Sequence, residues 1–85
     1  MSWLIYHAKR SADAGRLIFW RPGAAGYTDN VLAAGGYTEA YAKRMQDLSH
    51  GESKAVPREL IDSLAPRLII DLGDADNRTA LEGRS

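Results

Sequence analysis

The amino-acid sequence predicts a small α+β domain, and three observations support this fold class. The chain has 85 residues and a mass of 9.3 kDa, which suits one domain. Its N-terminal residues alternate with the period of a β-strand, and its central residues repeat with the period of an α-helix. Hydrophobic residues make up 45% and charged residues 26% of the chain, as in globular proteins and unlike disordered, collagen-like or membrane-spanning ones.

An antiparallel β-hairpin is predicted at the N-terminus. Apolar, aromatic and β-branched residues alternate over residues 3–8 and again over 16–21. The polar stretch 9–15 between them contains turn-forming residues. Pro22 ends the second strand, because its nitrogen has no hydrogen to donate to a ladder.

A glycine-rich segment follows the hairpin. It contains two copies of Gly-Tyr-Thr followed by an acidic residue, and these begin at Gly26 and Gly36. Threonine is a good N-cap, because its hydroxyl accepts a hydrogen bond from a free backbone N–H of the first helical turn. We therefore expect Thr28 to cap a short helical turn, which Gly35 ends in the left-handed conformation.

Two helices are predicted in the centre of the chain. Thr38 is expected to cap the first, which covers about residues 39–49. Its apolar stripe comprises Tyr41, Met45 and Leu48. A polar connector over 51–55 then leads to the second helix, with Pro57 at its first position.

The rest of the chain predicts a third strand and a tail. Three consecutive branched apolar residues lie in the segment from Arg67 to Leu72, which suits a buried strand, with continuing helix as the alternative. From residue 74 onward the residues are mostly small and polar. The sequence thus indicates one domain over residues 1–73 and a flexible tail over 74–85.

The inventory of reactive side chains predicts neither a cofactor nor a metal site. There is no cysteine, which excludes a disulfide, a thiolate zinc site and a thiol nucleophile. The two histidines, His7 and His50, do not have the spacing of a helical metal site. The aspartates at 71, 74 and 76 lack the glycine and final glutamate of a calcium loop. We therefore predict a protein that is not an enzyme; a small metal-dependent enzyme that uses these residues is a remaining hypothesis.

Aromatic and arginine side chains are the candidates for contact with a partner, because these residue types dominate protein interfaces. The candidate partner-binding residues are Arg16, Trp20, Arg21, Tyr27 and Tyr37. The chain has 11 basic and 11 acidic residues, and this balance argues against general nucleic-acid binding. Up to Thr28, however, the sequence carries four basic residues and one acidic residue, so a nucleic-acid accessory module that uses a basic hairpin is the alternative.

The same segment carries a resemblance to a group of known proteins. The sequences Trp-Arg-Pro at 20–22, Gly-Tyr-Thr at 26–28 and Ala-Gly-Gly-Tyr-Thr at 34–38 resemble a pattern in small phage and prophage proteins of unassigned function. The match covers about residues 18–45. The resemblance implies a phage setting, in which small proteins bind host or defence components, including CRISPR effector complexes.

We therefore predict a non-catalytic binding protein that occludes the surface of a host protein, such as a bacterial defence complex of CRISPR type. A second copy of the chain is another candidate partner, through the exposed edge of the hairpin. The sequence shows no secretory signal pattern and no apolar stretch of about 18 residues, so the expected location is the cytoplasm, with no membrane partner.

Overall fold

The computed structural model describes residues 2–64 and 69–82, which form four strands and four α-helices. In chain order these are β1 (Trp3–His7), α1 (Ala8–Ala14), β2 (Phe19–Trp20), β3 (Tyr27–Thr28), α2 (Glu39–Leu48), β4 (Ser53–Pro57), α3 (Arg58–Ser63) and α4 (Ala75–Glu82). The strands form one antiparallel sheet in the order β3-β2-β1-β4. The predicted α+β class is confirmed.

The strands of the predicted hairpin pair as expected, but the connection between them is not a turn. Strand β1 pairs antiparallel with β2, with Tyr6 opposite Phe19. Between them, α1 begins where His7 Nδ1 accepts a hydrogen bond from the backbone N–H of Arg10 at 3.2 Å. The helix ends at Gly15, whose φ is 72°. A histidine cap and three alanines, at positions 8, 12 and 14, thus favour a helix where the sequence predicted a polar turn.

Strand β4 lies where the sequence predicted a polar connector, so that prediction is wrong. It pairs with β1 over five residues, from Trp3 opposite Pro57 to His7 opposite Ser53. Its weakly apolar residues do not show the strand period clearly, and the pairing with β1 stabilises the strand instead. As a result, β1 is an inner strand of the sheet, and Pro57 precedes α3 as its N-cap rather than its first residue.

The glycine-rich segment also differs from its prediction. Thr28 lies in β3, opposite Phe19, and does not cap a helix. Asn30 instead caps a 3-10 turn over Val31–Ala33, because its side chain accepts a hydrogen bond from the N–H of Leu32 at 2.9 Å. Gly35 is not left-handed, and its backbone passes directly over that of Pro22.

Helix α2 confirms the predicted cap but changes the predicted buried face. Thr38 Oγ1 accepts a hydrogen bond from the N–H of Tyr41 at 3.2 Å. Ala42 is fully buried against the sheet, whereas Tyr41 is 39% and Leu48 63% exposed. Helix α2 therefore packs on the sheet through the small Ala42, which allows the helix to approach β1 and β4 closely.

The C-terminal part packs against the other face of the sheet. Residues 67 and 68 of the predicted third strand lie outside the described residues, but Ile70 is fully buried and its carbonyl accepts a hydrogen bond from Leu17 N at 2.9 Å. Leu72 N donates to the carbonyl of Gly15 at 2.8 Å, and these two bonds flank an isolated bridge between Arg16 and Asp71. Within the segment predicted as a tail, Ala75–Glu82 form α4, with Leu81 packed against the core, and residues 83–85 lie outside the described residues.

Two apolar clusters lie on opposite faces of the sheet. The fully or nearly buried members of the first are Leu4, Leu17, Phe19, Val31, Ala34, Val56, Ile61 and Ile70. The second lies beneath α2 and consists of Ile5, Ala42 and Ala55, with Trp3, Trp20, Tyr37 and Met45 packed against it. The sheet is therefore covered on both faces, except at the end of the second face near β3.

Candidate interaction surface

The five candidate partner-binding residues do not form one surface. Trp20 and Tyr27 lie opposite each other on β2 and β3, so their side chains point to the same face of the sheet. Trp20 and Tyr37 pack against α2. The other three candidates, Tyr27, Arg16 and Arg21, are exposed to solvent. The structure therefore separates a packing group from an accessible group.

Trp20 and Tyr37 mainly hold the sheet against α2. Their rings meet edge to face with centroids 6.2 Å apart, and the Tyr37 ring stacks on that of Tyr41 at 5.2 Å. The indole Nε1 of Trp20 is buried, and none of the described residues provides an acceptor for it. Aromatic rings packed in this way bury most of their area within the protein.

The hydroxyl of Tyr37 also fixes the loop that leaves β2. It donates a hydrogen bond to the carbonyl oxygen of Arg21 and accepts one from the N–H of Ala24 at 3.1 Å. Ala24 has a φ of 56°, a left-handed conformation that is unfavourable for any residue with a Cβ. Tyr37 thus stabilises a strained loop, a role that the sequence did not indicate.

Tyr27 is the accessible aromatic residue of the candidate set. It is 43% exposed and lies on edge strand β3. The guanidinium carbon of Arg10 lies 4.6 Å from the centre of its ring, within the range of a cation–π contact. The ring of His7 meets it edge to face at 5.7 Å. The arginine and the histidine therefore hold the Tyr27 ring in place while leaving much of it open to solvent.

Arg16 and Arg21 lie near the same strand. Arg16 Nε donates to Asp29 Oδ2 at 2.7 Å, with both side chains partly exposed. Arg21 is exposed, and its Cδ lies 3.9 Å from the position that a Cβ would occupy at Gly26. We refer to Arg10, Arg16, Arg21, Tyr27 and His7 together as the arginine–tyrosine surface.

The arginine–tyrosine surface is basic. It contains three arginines, of which Arg16 is paired with Asp29, in a chain whose total charge is zero. An exposed ion pair such as Arg16 with Asp29 contributes little to stability, about 0–1 kcal/mol. It does hold the Arg16 guanidinium beside Asp29.

His7 and Arg10 were not among the candidate partner-binding residues. The sequence places His7 in the first predicted strand and Arg10 in the polar stretch between the two strands. Their contact with Tyr27 depends on α1, because that helix returns Arg10 over β3. A histidine followed by helix-favouring residues is the signal that could have indicated this helix.

Two clefts lie next to α4, away from the arginine–tyrosine surface. One of about 660 Å³ lies between α2, β4 and the end of α4, and Lys43, Gln46 and Lys54 contribute to its lining. Another of about 490 Å³ lies between α1 and α4, and its lining includes Leu17 and Leu72. Neither contains any of the five candidate partner-binding residues.

Among residues 2–64 and 69–82, no group of three or more histidine, aspartate or glutamate side chains could hold a metal ion. Within the same residues, no helix has the length and apolar character needed to cross a membrane. No family model, curated protein or solved structure matches the chain.

Proposed function

We propose that this protein is a non-catalytic binding protein that covers the surface of another protein with its arginine–tyrosine surface. The observation that carries this proposal is the exposed Tyr27 ring beneath the Arg10 guanidinium. Tyrosine and arginine are among the residues that contribute most binding energy at interfaces, and here the two are presented together.

The local packing supports the same proposal. Tyr27 contacts His7 and Arg10, and Arg16 is bonded to Asp29, so these side chains are ordered before a partner arrives. Ordering a long side chain at an interface costs about 0.5–1.5 kcal/mol, and a preformed arrangement reduces that cost. The arginine–tyrosine surface therefore suits binding by shape and charge.

The biological setting that we propose is a phage infection. The resemblance of residues 18–45 to small phage and prophage proteins supports a target in the bacterial cytoplasm, such as a defence complex of CRISPR type. Occlusion of such a complex needs one binding surface and no chemistry on a substrate.

Phage plaquing tests this proposal. The chain is expressed in a bacterial strain with active CRISPR-type defence and in an isogenic strain without it. We expect more plaques only in the defended strain, and we expect Tyr27→Ala to remove the effect. Leu32→Ala is the matched control, because Leu32 is 76% exposed and outside the arginine–tyrosine surface. Equal plaque numbers with and without the chain in the defended strain would contradict the proposed function of covering a defence complex.

A nucleic-acid accessory module is the second candidate, and the cation–π pair of Arg10 with Tyr27 favours it. Single-stranded nucleic acids bind where bases stack on aromatic rings among basic residues, and this binding weakens steeply with salt. Anisotropy of a labelled single-stranded oligonucleotide, titrated at several salt concentrations, distinguishes the two functions. Tight binding that falls with salt and requires Tyr27 would favour the nucleic-acid module over the protein-binding function.

A further inference from the structure

The two edges of the sheet differ in their free backbone groups. On β4, the residues that point away from β1 are Ser53, Ala55 and Pro57, since Lys54 and Val56 lie at hydrogen-bonded positions of the β1 ladder. Ser49 Oγ accepts a hydrogen bond from Ser53 N at 2.9 Å, and Gln46 Oε1 accepts one from Ala55 N at 2.8 Å.

The third outward residue of β4, Pro57, has no N–H. Every outward-facing N–H position of this strand is therefore bonded or absent, which protects the edge against addition of another strand. The protection comes from two side chains near the end of α2, Gln46 and Ser49.

Strand β3 has an open edge. Arg21 N donates to the carbonyl of Gly26 at 2.9 Å, so this pair and the Phe19–Thr28 pair are the hydrogen-bonded positions of the β2–β3 ladder. Tyr27 lies between them, and its own N–H and C=O point away from β2. No element among the described residues pairs with this side of β3.

The charge around this open edge selects the kind of segment that fits it. The Arg10 guanidinium lies on the Tyr27 ring, and Arg21 lies beside Gly26. A second copy paired through the same edge would place its own arginines against these, and like charges across a strand pair are unfavourable. An acidic segment would instead bring carboxylates close to Arg10 on the face of Tyr27.

We propose that the partner contributes an extended acidic segment, which adds to the sheet beside β3 and exchanges two backbone hydrogen bonds with Tyr27. This inference rests on the proposed binding function and names the chemistry of the partner. Strand addition obtains affinity from backbone bonds and specificity from alternate side chains. Here the side chains on the face of Tyr27 would be acidic, because that face carries Arg10.

A synthetic peptide of alternating glutamate and valine, with the valine nitrogens methylated, tests the inference. In a strand its glutamates share one face and their N–H groups share one edge, whereas the methyl groups block the other edge, so that no more than two peptides can pair. Amide hydrogen exchange is measured by NMR on the full chain. We expect saturating peptide to slow the exchange of the Tyr27 amide by about tenfold or more, because that N–H becomes bonded.

Two control peptides and one variant complete the experiment. The peptide with lysine in place of glutamate should not bind. The peptide methylated at its glutamates should bind much more weakly, because only its valine N–H groups can donate to Tyr27, and that register turns the glutamates away from Arg10. Arg10→Gln should weaken binding of the original peptide by about tenfold, while Arg44→Gln, on the exposed side of α2, should not change it.

Three results would overturn the inference. The first is peptide binding that shifts the Tyr27 ring signals but leaves its amide exchange unchanged, which would leave the proposed binding function intact. The second is an absence of binding at millimolar peptide. The third is protection of the Tyr27 amide that rises with protein concentration in the absence of peptide, because the occupant would then be a second copy. Failure of the proposed function is detected separately, by the plaque assay. In that case the defended strain gives the same number of plaques with the original chain, with the Tyr27→Ala variant and with neither.

Discussion

Replacing Gly35 by alanine tests how closely the glycine-rich segment packs against the end of β2. A Cβ at Gly35 would lie 2.8 Å from both N and Cα of Pro22 and 2.9 Å from the carbonyl carbon of Arg21. All three are backbone atoms, so no side-chain rotation relieves the contact. The N–H of Gly35 also donates to the carbonyl of Trp20 at 2.9 Å, which fixes the two segments together.

The magnitude follows from this overlap. Carbon atoms pack best at about 3.5–4.0 Å, so either the backbone separates or the overlap remains. Overpacking of this kind costs about 1–3 kcal/mol of the free energy of unfolding. In a domain of this size each kcal/mol lowers the melting temperature by about 4–8 °C. We expect Gly35→Ala to lower the melting temperature by about 4–24 °C, measured by circular dichroism.

The adjacent glycine provides the matched control. A Cβ at Gly36 would lie 3.3 Å from Ser2 Oγ, and this side chain near the start of the chain can move. Neither glycine has a left-handed φ, so alanine is compatible with the backbone at both. We expect Gly36→Ala to change the free energy of unfolding by less than about 0.5 kcal/mol. Equal melting temperatures for the two variants would refute the close approach of Gly35 and Pro22.

Three further substitutions test local contacts, each by urea or thermal unfolding. Ala24→Gly should stabilise the protein by about 0.5–1 kcal/mol, because the φ of 56° at residue 24 favours glycine. Ala25→Gly is the control and should destabilise the protein, because the φ at residue 25 is −90°. A change of the same sign in both variants would contradict the strained loop. Gln46→Ala should cost about 1–2 kcal/mol by removing the side-chain acceptor of the Ala55 N–H, while Gln46→Glu keeps an acceptor and most of the stability. Equal losses for the two variants would be evidence against this bond. His7→Ala should lower the free energy of unfolding by about 0.5–2 kcal/mol, because α1 loses its cap. His7→Asn should retain most of that stability, because asparagine can also cap the helix. An equal loss in His7→Asn would assign the effect to the Tyr27 contact instead.

The sequence predicted the fold where local signals and tertiary contacts agree. Thr38 has both a cap hydroxyl and a helical sequence after it, and α2 begins there. The two N-terminal strands alternate clearly, and they pair. These elements could be predicted because their residues favour the observed state even without partners.

The predictions failed where a distant partner decides the local structure. The residues of β4 have weak strand preference, and their conformation depends on pairing with β1. Gly35 was expected to be left-handed because glycine often ends a helix, but the structure uses its small size instead, since Pro22 lies against it. Sequence periodicity contains no information about which segment will approach that closely.

The candidate site divides for a related reason. Trp20 and Tyr27 occupy paired positions on the same face of the sheet, so the sequence does not indicate which of the two side chains is exposed to solvent. Helix α2 covers the end of this face near Trp20, whereas α1 brings Arg10 over Tyr27 and leaves the ring accessible. Exposure of an aromatic residue on a two-residue strand is therefore set by the helices that flank the sheet. For that reason α1, which the sequence did not indicate, determines which part of the predicted surface can meet a partner.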